Sequence, residues 1–139
     1  MDKLFYLCGG ISNVPVQEAA TWRMMIEQLV KEESFGEIRV FNPLNIELVD
    51  DEDRRDAVAM KYELDMLRKS NLVIVYFNDP ASLGSMAEMA IAYEHRIPII
   101  GINSRDKKLH PWQEEMCDYI FDDLMDFWEY IKINYLGEI

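Results

Sequence analysis

Residues 71–102 read NLVIVYFNDPASLGSMAEMAIAYEHRIPIIGI, and this stretch decides the fold. Its ends, NLVIVYF (71–77) and IPIIGI (97–102), are continuous apolar runs, and a nearly apolar helical segment lies between them. Strands that are apolar on both faces are typical of a parallel sheet whose two sides are covered by helices. A strand, a helix and a second strand in this order predict the crossover unit of such a sheet.

The same alternation continues in both directions along the chain. Further strands are predicted over three segments: KLFYLC (3–8), EIRVF (37–41) and DYIF (118–121). Further helices are predicted over residues 17–33, 52–70 and 123–136. In the first of these helices the spacing predicts a buried face, made of Ala20, Met24, Leu29 and Val30. We therefore predict an α/β fold: a single doubly wound, flavodoxin-like or Rossmann-like parallel sheet of four to five strands with helices on both faces, in one domain over residues 1–139.

Charge and cysteine usage exclude several classes of function. A formal net charge of −12 repels a polyphosphate backbone, and the lysines and arginines are scattered, so we expect no nucleic-acid partner. Cys8 and Cys117 lie far apart and form no metal-ligand spacing, and no metal or cofactor is expected. No apolar run approaches the roughly 20 residues that cross a bilayer, and the apolar part of the N-terminus is too short for a signal peptide. We expect a cytoplasmic protein with no membrane contact and a small-molecule partner.

Glu88 is the most unusual residue of the central segment. In doubly wound folds the ligand lies at the carboxyl ends of the strands, which selects the loops at 9–15, 77–84 and 103–112. Glu88 lies about one helical turn beyond Gly84, near that edge, among small and apolar residues. It either complements the helix dipole or is a partly buried carboxylate with a chemical use. Tyr6, on the neighbouring strand, is a candidate hydrogen-bond donor to it, or else a core aromatic residue.

Other residues near this edge have two interpretations as well. Gly9 and Gly10 allow a backbone to approach a ligand, although CGGIS lacks the spacing of a dinucleotide-binding loop. Ser82 is either the N-cap of the helix or, with the amides of Leu83 and Gly84, a contact for a sugar hydroxyl or a phosphate. Glu63 and Asp65 lie about 200° apart around their helix, so at most one of them faces the crevice.

Three segments resemble the nucleoside 2-deoxyribosyltransferase family, which includes the 2'-deoxynucleoside 5'-monophosphate N-hydrolases. They are FYLCGGIS (5–12), ELDMLRKSNLVIVYF (63–77) and SLGSMAEMAIAYEHRIPII (82–100), in the order and spacing of the family. The resemblance covers roughly residues 3–112. It implies that Glu88 is the nucleophile, which attacks C1' of deoxyribose and forms a covalent glycosyl-enzyme, and that Tyr6 matches the family's tyrosine. The acidic residue that serves the leaving base in the family corresponds to Glu63, and Asp65 is the alternative.

The resemblance also bears on the 5' end of the substrate. Ser82 resembles the monophosphate hydrolases, since the transferases more often carry aspartate there, whereas Ser12 stands where those hydrolases carry a phosphate-binding arginine. His110 falls near the family's loop residue that reaches the site of a neighbouring subunit, which implies a homodimer or a larger homo-oligomer with composite sites. The first expectation is a transferase that moves deoxyribose between bases. The alternatives are a deoxynucleoside monophosphate hydrolase, a nucleotide-binding module without turnover, and a structural domain.

Overall fold

The structure is a computed structural model that describes residues 3–11, 13–45 and 55–137. Within these ranges the strands are β1 (Lys3–Gly9), β2 (Ile38–Phe41), β3 (Leu72–Tyr76), β4 (Ile99–Ile102) and β5 (Tyr119–Phe121). The helices are α1 (Val16–Glu33), α2 (Arg55–Lys69), α3 (Leu83–Glu94), α4 (Pro111–Met116) and α5 (Leu124–Ile131). A short 3-10 helix covers Pro43–Asn45, and a π-helical turn over Lys132–Leu136 follows α5.

All strand pairs are parallel, and the sheet order is β2-β1-β3-β4-β5. This is the flavodoxin-like order, in which the chain switches direction across the sheet between β1 and β3. The predicted fold class is confirmed. The switch leaves a gap between the loops that follow β1 and β3, and such a gap is the usual ligand crevice of this architecture.

The two faces of the sheet are covered by different helices. Leu4, Tyr6 and Cys8 of β1 face the core that α2, α3 and α4 complete. Phe5 and Leu7 face the opposite core, which α1 and α5 complete. Because side chains alternate along a strand, this register directs Tyr6 and Cys8 together toward α3.

Several boundaries differ from the sequence predictions. The stretch at 111–116, expected as part of a loop, forms α4, because His110 caps it and Pro111 fits the first helical position. The closing helix predicted over 123–136 is α-helical only over Leu124–Ile131. The start predicted for α2 at residue 52 lies outside the described residues.

The predicted buried face of α1 is correct at Val30 and wrong at Met24. Met24 is 63% exposed, and Ala20 and Leu29 are only partly buried. The buried residues of α1 are Ala19, Trp22, Arg23, Ile26 and Val30, and of these only Val30 was predicted. The prediction failed because it assigned every charged residue of this helix to the solvent side, whereas the helix packs with Trp22 and Arg23 against the sheet.

No helix within the described ranges is both long enough and apolar enough to span a membrane.

Candidate active site

A crevice of about 570 Å³ opens at the switch point between β1 and β3. Its size is within the range of small-molecule sites. Polar side chains from three helices line it: Arg23 of α1, Glu63 of α2, and Ser85 and Glu88 of α3. The remaining wall is mostly apolar and includes Ile11, Pro43, Leu44, Met60, Leu64 and Ile91.

Glu88 lines the crevice and receives hydrogen bonds from two side chains of β1. The Tyr6 hydroxyl donates to Oε2 of Glu88, and the Cys8 thiol donates to Oε1 over 3.5 Å. Tyr6 and Cys8 are fully buried, so water does not compete with Glu88 for either donor. The alternation of side chains along β1 therefore provides two donors to one carboxyl group from the same side.

Burial raises the pKa of Glu88, and three neighbours oppose this effect. The hydrogen bonds from Tyr6 and Cys8 and the positive charge of Arg23 each lower it. The pKa of Tyr6 is itself raised, by burial first and then by the charge of Glu88, so the phenol keeps its proton and stays a donor. The same causes, burial first, raise the pKa of Cys8. Tyr6 and Cys8 therefore keep their protons, and Glu88 is the acid of this trio that can ionise.

Glu63 is the second carboxyl group of the crevice. Burial first, and then the charge of Glu88, raise its pKa to about 7 against the opposing charge of Arg23. A group with this pKa holds a proton for part of the time at neutral pH and can act as a general acid. Two carboxyl groups in one crevice with separated environments are a common arrangement for acid and nucleophile.

The N-terminus of α3 forms one rim of the crevice. Ser82 is its N-cap, and its hydroxyl accepts a hydrogen bond from the Ser85 amide over 3.3 Å. The capping interpretation of Ser82 is therefore correct, and Ser82 and Gly84 also line the crevice. A Cβ at Gly84 would meet nothing within 4 Å, so this rim has room for a ligand.

The two glycines at the end of β1, Gly9 and Gly10, are required by close packing within the chain. A Cβ at Gly9 would lie 2.8 Å from the Trp22 ring, and one at Gly10 would lie 2.7 Å from the Asp79 side chain. Asn78 binds the backbone of Gly10 on both sides, because its Oδ1 accepts from the amide and its Nδ2 donates to the carbonyl. Gly9 lines the crevice, while the buried Gly10 holds the loops after β1 and β3 together.

Two predicted site residues, Asp65 and His110, are not brought to the crevice, and the position of a third is not described. Asp65 is exposed on α2 and pairs with Lys69 at 2.9 Å, as expected for the opposite side of the helix from Glu63. His110 caps α4 through its Nδ1, which accepts from the Trp112 amide, and its loop contributes nothing to the described lining. Ser12 lies outside the described residues.

Arg23 is the charged lining residue that the sequence analysis missed. It is fully buried, and its guanidinium lies over the Trp22 ring, with Cζ 4.6 Å from the ring centroid. Its burial was hidden because an arginine in an amphipathic pattern is normally solvated. The adjacent Trp22 was the available clue, since arginine packs favourably on an aromatic face.

Within the described residues, no group of three or more His, Cys, Asp or Glu side chains has the arrangement of a metal site. A second cavity, of about 510 Å³, lies at the far end of α3, where Glu94, Arg96 and Asp118 are among its lining residues. It is formed by residues that precede or begin β4 and β5, at the edge opposite to the carboxyl ends. The crevice with Glu63 and Glu88 is therefore the better candidate.

A protein-family model described as nucleoside 2-deoxyribosyltransferase-like matches residues 3–106 of the chain. The match includes Tyr6, Arg23, Glu63 and Glu88. Among curated proteins, none matches the chain in sequence.

Several solved structures share the fold. A 2-deoxyribosyltransferase from Bacillus psychrosaccharolyticus superposes with a TM-score of 0.74 at 15% identity, covering 95% of this chain and 91% of that one. A 2-deoxyribosyltransferase from Leishmania mexicana gives 0.66 at 15% identity, covering 96% and 99%. A CMP N-glycosidase from Clostridium botulinum gives 0.62 at 14% identity, covering 94% and 98%.

Proposed function

Because the chain belongs to the nucleoside 2-deoxyribosyltransferase-like family, we propose that it cleaves the N-glycosidic bond of 2'-deoxynucleosides and transfers the deoxyribosyl group to a second base. Membership makes it an enzyme of the N-glycosyl transferase or hydrolase type that acts on nucleosides or nucleotides. The observation that carries the proposal is the pair of carboxyl groups in one crevice, with Tyr6 donating to Glu88 and burial raising the pKa of Glu63 to about 7.

In the first step Glu88 is the nucleophile. One carboxylate oxygen attacks C1', the bond from C1' to the base nitrogen breaks, and its electron pair leaves with the base. Glu63 donates a proton to the departing base, which makes it a better leaving group. The covalent glycosyl-enzyme replaces one difficult displacement by two easier ones, as in retaining glycosidases.

In the second step another base attacks C1' and Glu88 leaves as a carboxylate. Glu63, now ionised, takes the proton that the incoming base loses. Water in place of the second base would give hydrolysis with the same groups. The Tyr6 hydroxyl stabilises Glu88 each time it carries a charge, because it donates to the ionised form.

The described lining favours an uncharged 5' end. Its single cationic side chain is Arg23, which is fully buried and donates from both terminal nitrogens to backbone carbonyls, those of Ala19 and Gly9. A 5'-phosphate would therefore meet Ser82 and the amides of α3 without a charged partner from this part of the chain. This supports a nucleoside substrate over a monophosphate.

The second candidate function is hydrolysis of a 2'-deoxynucleoside 5'-monophosphate. It is favoured by Ser82 at the exposed N-terminus of α3, since amides at a helix N-terminus bind anions. A non-catalytic nucleotide-binding module is the candidate of another class. It requires only the crevice and predicts ligand-dependent stabilisation without bond cleavage.

Two incubations separate these candidates. Purified protein is incubated with a 2'-deoxynucleoside plus a second free base, and separately with a deoxynucleoside monophosphate alone, and the products are separated by chromatography. A new deoxynucleoside in the first tube is the expected result. Free base in the second tube alone would establish the hydrolase, and no product in either tube would contradict both enzymatic candidates.

Glu88→Gln tests the nucleophile with little change in side-chain size. We expect the rate to fall by about 10³-fold or more, because the covalent intermediate is not formed. Intact-mass measurement of rapidly quenched enzyme should show one added deoxyribosyl unit in the wild type and none in the variant. Glu94→Gln, on the exposed far end of α3, is the matched control and should keep full activity.

We further propose that the protein acts as a single domain without a cofactor and assembles as a homodimer or larger homo-oligomer in the cytoplasm. Exposed apolar side chains beside the crevice support the assembly: Leu83 is 87% exposed and Trp112 is 68% exposed. Their burial between subunits would remove a large apolar area from water.

A further inference from the structure

Arg23 is held in one orientation by groups of its own chain. Its Nη1 donates to the Ala19 carbonyl over 2.8 Å, and its Nη2 donates to the Gly9 carbonyl over 3.0 Å. Its Nε has no hydrogen-bond partner among the described residues. The two carbonyls carry no net charge, so they satisfy donors but do not neutralise the guanidinium. A fully buried charge requires a counter-charge nearby.

The side chain of Arg23 reaches the crevice because the chain leaves space for it at Gly9. Arg23 is on α1, which packs on the opposite face of the sheet from α2 and α3, and it reaches the crevice past the end of β1. This path requires glycine at position 9, where a Cβ would lie 2.8 Å from the Trp22 ring and 3.5 Å from Nη2 of Arg23. The guanidinium therefore ends on the carboxyl side of the sheet, beside the catalytic groups.

The titratable groups that act on Arg23 come from β1, α2 and α3. They are Tyr6 and Cys8 of β1, Glu63 of α2 and Glu88 of α3. Burial lowers the pKa of Arg23, and the negative charges of Glu88 and Glu63 raise it. Tyr6 and Cys8 stay protonated because burial raises their own pKa values. The charges of the cluster therefore reside on Arg23, Glu63 and Glu88 alone.

One positive charge faces two carboxyl groups in this cluster. If both were ionised, the buried cluster would carry one excess negative charge, and if neither were, one excess positive charge. It is neutral when one carboxyl group is ionised and the other holds a proton. This is also the state that an attack by Glu88 with a proton from Glu63 requires.

We propose that Arg23 is a positioning residue, the buried counter-ion that holds the Glu63 and Glu88 pair at a single negative charge. This inference rests on the proposed function for its effect on turnover. The predicted effect of Arg23 on the two carboxyl pKa values does not depend on turnover. Arg23 touches no reacting atom in this role, and it acts through the protonation of the two carboxyl groups.

The pH dependence of kcat/KM distinguishes this role from a purely structural one. Activity requires ionised Glu88 and protonated Glu63, so the profile is bell-shaped. Arg23→Gln removes the positive charge, which raises both carboxyl pKa values and moves both limbs of the bell to higher pH. Arg23→Lys keeps the charge and loses the second terminal nitrogen, so the rate falls while the limbs stay near those of the wild type.

The control is Arg39→Gln, an exposed arginine of β2, and its profile should match the wild type. An Arg23→Gln profile that is merely lower, with both limbs unmoved, would overturn the proposal. So would an equal shift in Arg23→Lys, because the charge would then not be the cause.

A titration that needs no turnover tests the same point. With carbon-13 in the side-chain carboxyl of glutamate, NMR follows Glu63, assigned by its loss in Glu63→Gln. We expect its midpoint near pH 7 in the wild type and about one unit or more higher in Arg23→Gln. An unmoved midpoint would overturn the role of Arg23 even in an active enzyme. A moved midpoint in a protein without turnover would support it while contradicting the proposed function.

A double variant tests the proposal even if Arg23→Gln alone folds poorly. In Glu88→Gln the buried negative charge is already absent, so removing Arg23 as well restores the balance. The loss of melting temperature caused by Arg23→Gln should therefore be smaller in the Glu88→Gln background than in the wild type. An equal loss in both backgrounds, including failure to fold in both, would overturn the proposal.

Discussion

At the scale of single residues, the two carboxyl groups of the crevice differ in what surrounds them. Tyr6 and Cys8 donate hydrogen bonds to Glu88, which favours its ionised form. No described residue donates a hydrogen bond to Glu63, and burial is the first cause of its raised pKa. Burial and hydrogen bonding therefore give the proposed nucleophile, Glu88, and the proposed acid, Glu63, different surroundings, and the charge of Arg23 acts on both.

The raised pKa of Glu63 predicts a pH dependence of stability. Folding moves this pKa from 4.5 to about 7, so the folded state binds the proton more tightly than the unfolded chain. The contribution to the free energy of unfolding is fully present below pH 4.5 and is lost as the pH rises through 7. Glu63→Gln removes it, and the stability of this variant relative to the wild type should rise across that window.

Urea denaturation at several pH values measures this difference. Asp65→Asn is the matched control, because Asp65 is exposed two positions away and pairs only with Lys69 among the described residues. If Asp65→Asn reproduced the pH dependence of Glu63→Gln, the assignment of the raised pKa to Glu63 would be wrong. The same pair of variants separates the two candidates for the proton donor, since only Glu63 lines the crevice.

Sequence reasoning found Glu88 and Tyr6 and missed Arg23, for a physical reason. A lone glutamate on an apolar helix is visible in the sequence, and the carboxyl-end rule places it beside β1. A buried arginine is visible only through tertiary packing, because its stem and its neighbours in α1 resemble an ordinary amphipathic helix. The two hydrogen bonds between the Asn78 side chain and the Gly10 backbone could not be predicted for the same reason, since the two residues are distant in sequence.

At the scale of elements, the first turn of α3 performs two functions. Ser82 caps the helix, and Ser85 and Glu88 direct their side chains to the crevice from the same helix face. The cap at Ser82 determines where α3 begins, and the position of Glu88 along the helix follows from that start. Loss of such a cap typically costs about 1 kcal/mol.

Ser82→Asp separates nucleoside from monophosphate substrates at this element. Aspartate is as good an N-cap as serine, so the free energy of unfolding should stay within about 0.5 kcal/mol of the wild type. Its negative charge would repel a 5'-phosphate and leave a 5'-hydroxyl unaffected. We expect turnover of a deoxynucleoside to persist within severalfold while cleavage of any monophosphate falls by at least about tenfold.

The comparison is made as kcat/KM for the two substrates in the wild type, in Ser82→Asp and in Ser82→Ala. Ser82→Ala controls for the loss of the hydroxyl without an added charge. Equal losses on both substrates in Ser82→Asp would show that the 5' group lies away from this rim.

The order and type of the longer elements could be predicted from sequence, but α4 could not. The apolar strands and the helix between β3 and β4 have strong patterns. The helix α4 has only six residues, too few for periodicity, and it exists because His110 and Gln113 form a capping box and the Gln113 amide donates to the Pro80 carbonyl. The contact between Gln113 and Pro80 joins residues distant in sequence, so it could not be predicted from the local sequence.

At the scale of the whole molecule, the strand order creates the crevice at the switch between β1 and β3. The helix α4 lies next to α3 and does not line that crevice. Gln113 anchors α4 to the loop after β3, and α4 packs against α3. His110 and Trp112 are thereby presented at the surface on the side of α3, outside their own crevice. In a homo-oligomer with composite sites, such residues complete the crevice of a neighbouring subunit.

Mixing two defective variants tests this arrangement. Glu88→Gln lacks the proposed nucleophile, and His110→Ala lacks the residue expected to reach the neighbouring site. In a mixed dimer one of the two sites combines an intact Glu88 with an intact His110. After random exchange of equal amounts, about a quarter of all sites are intact, so activity should rise toward about a quarter of the wild type.

The reference for this experiment is the mean activity of the two variants measured separately, and the mass by light scattering must first show an oligomer of the 16.4 kDa chain. Exchange needs dilution and reconcentration of the mixture, and an unmixed sample treated in the same way controls for losses. If His110 served its own subunit, mixing would give only the mean, because neither protomer would gain the group it lacks. A rise above the mean therefore requires that one subunit's α4 reaches the other's crevice, and it would make oligomerisation a condition of activity.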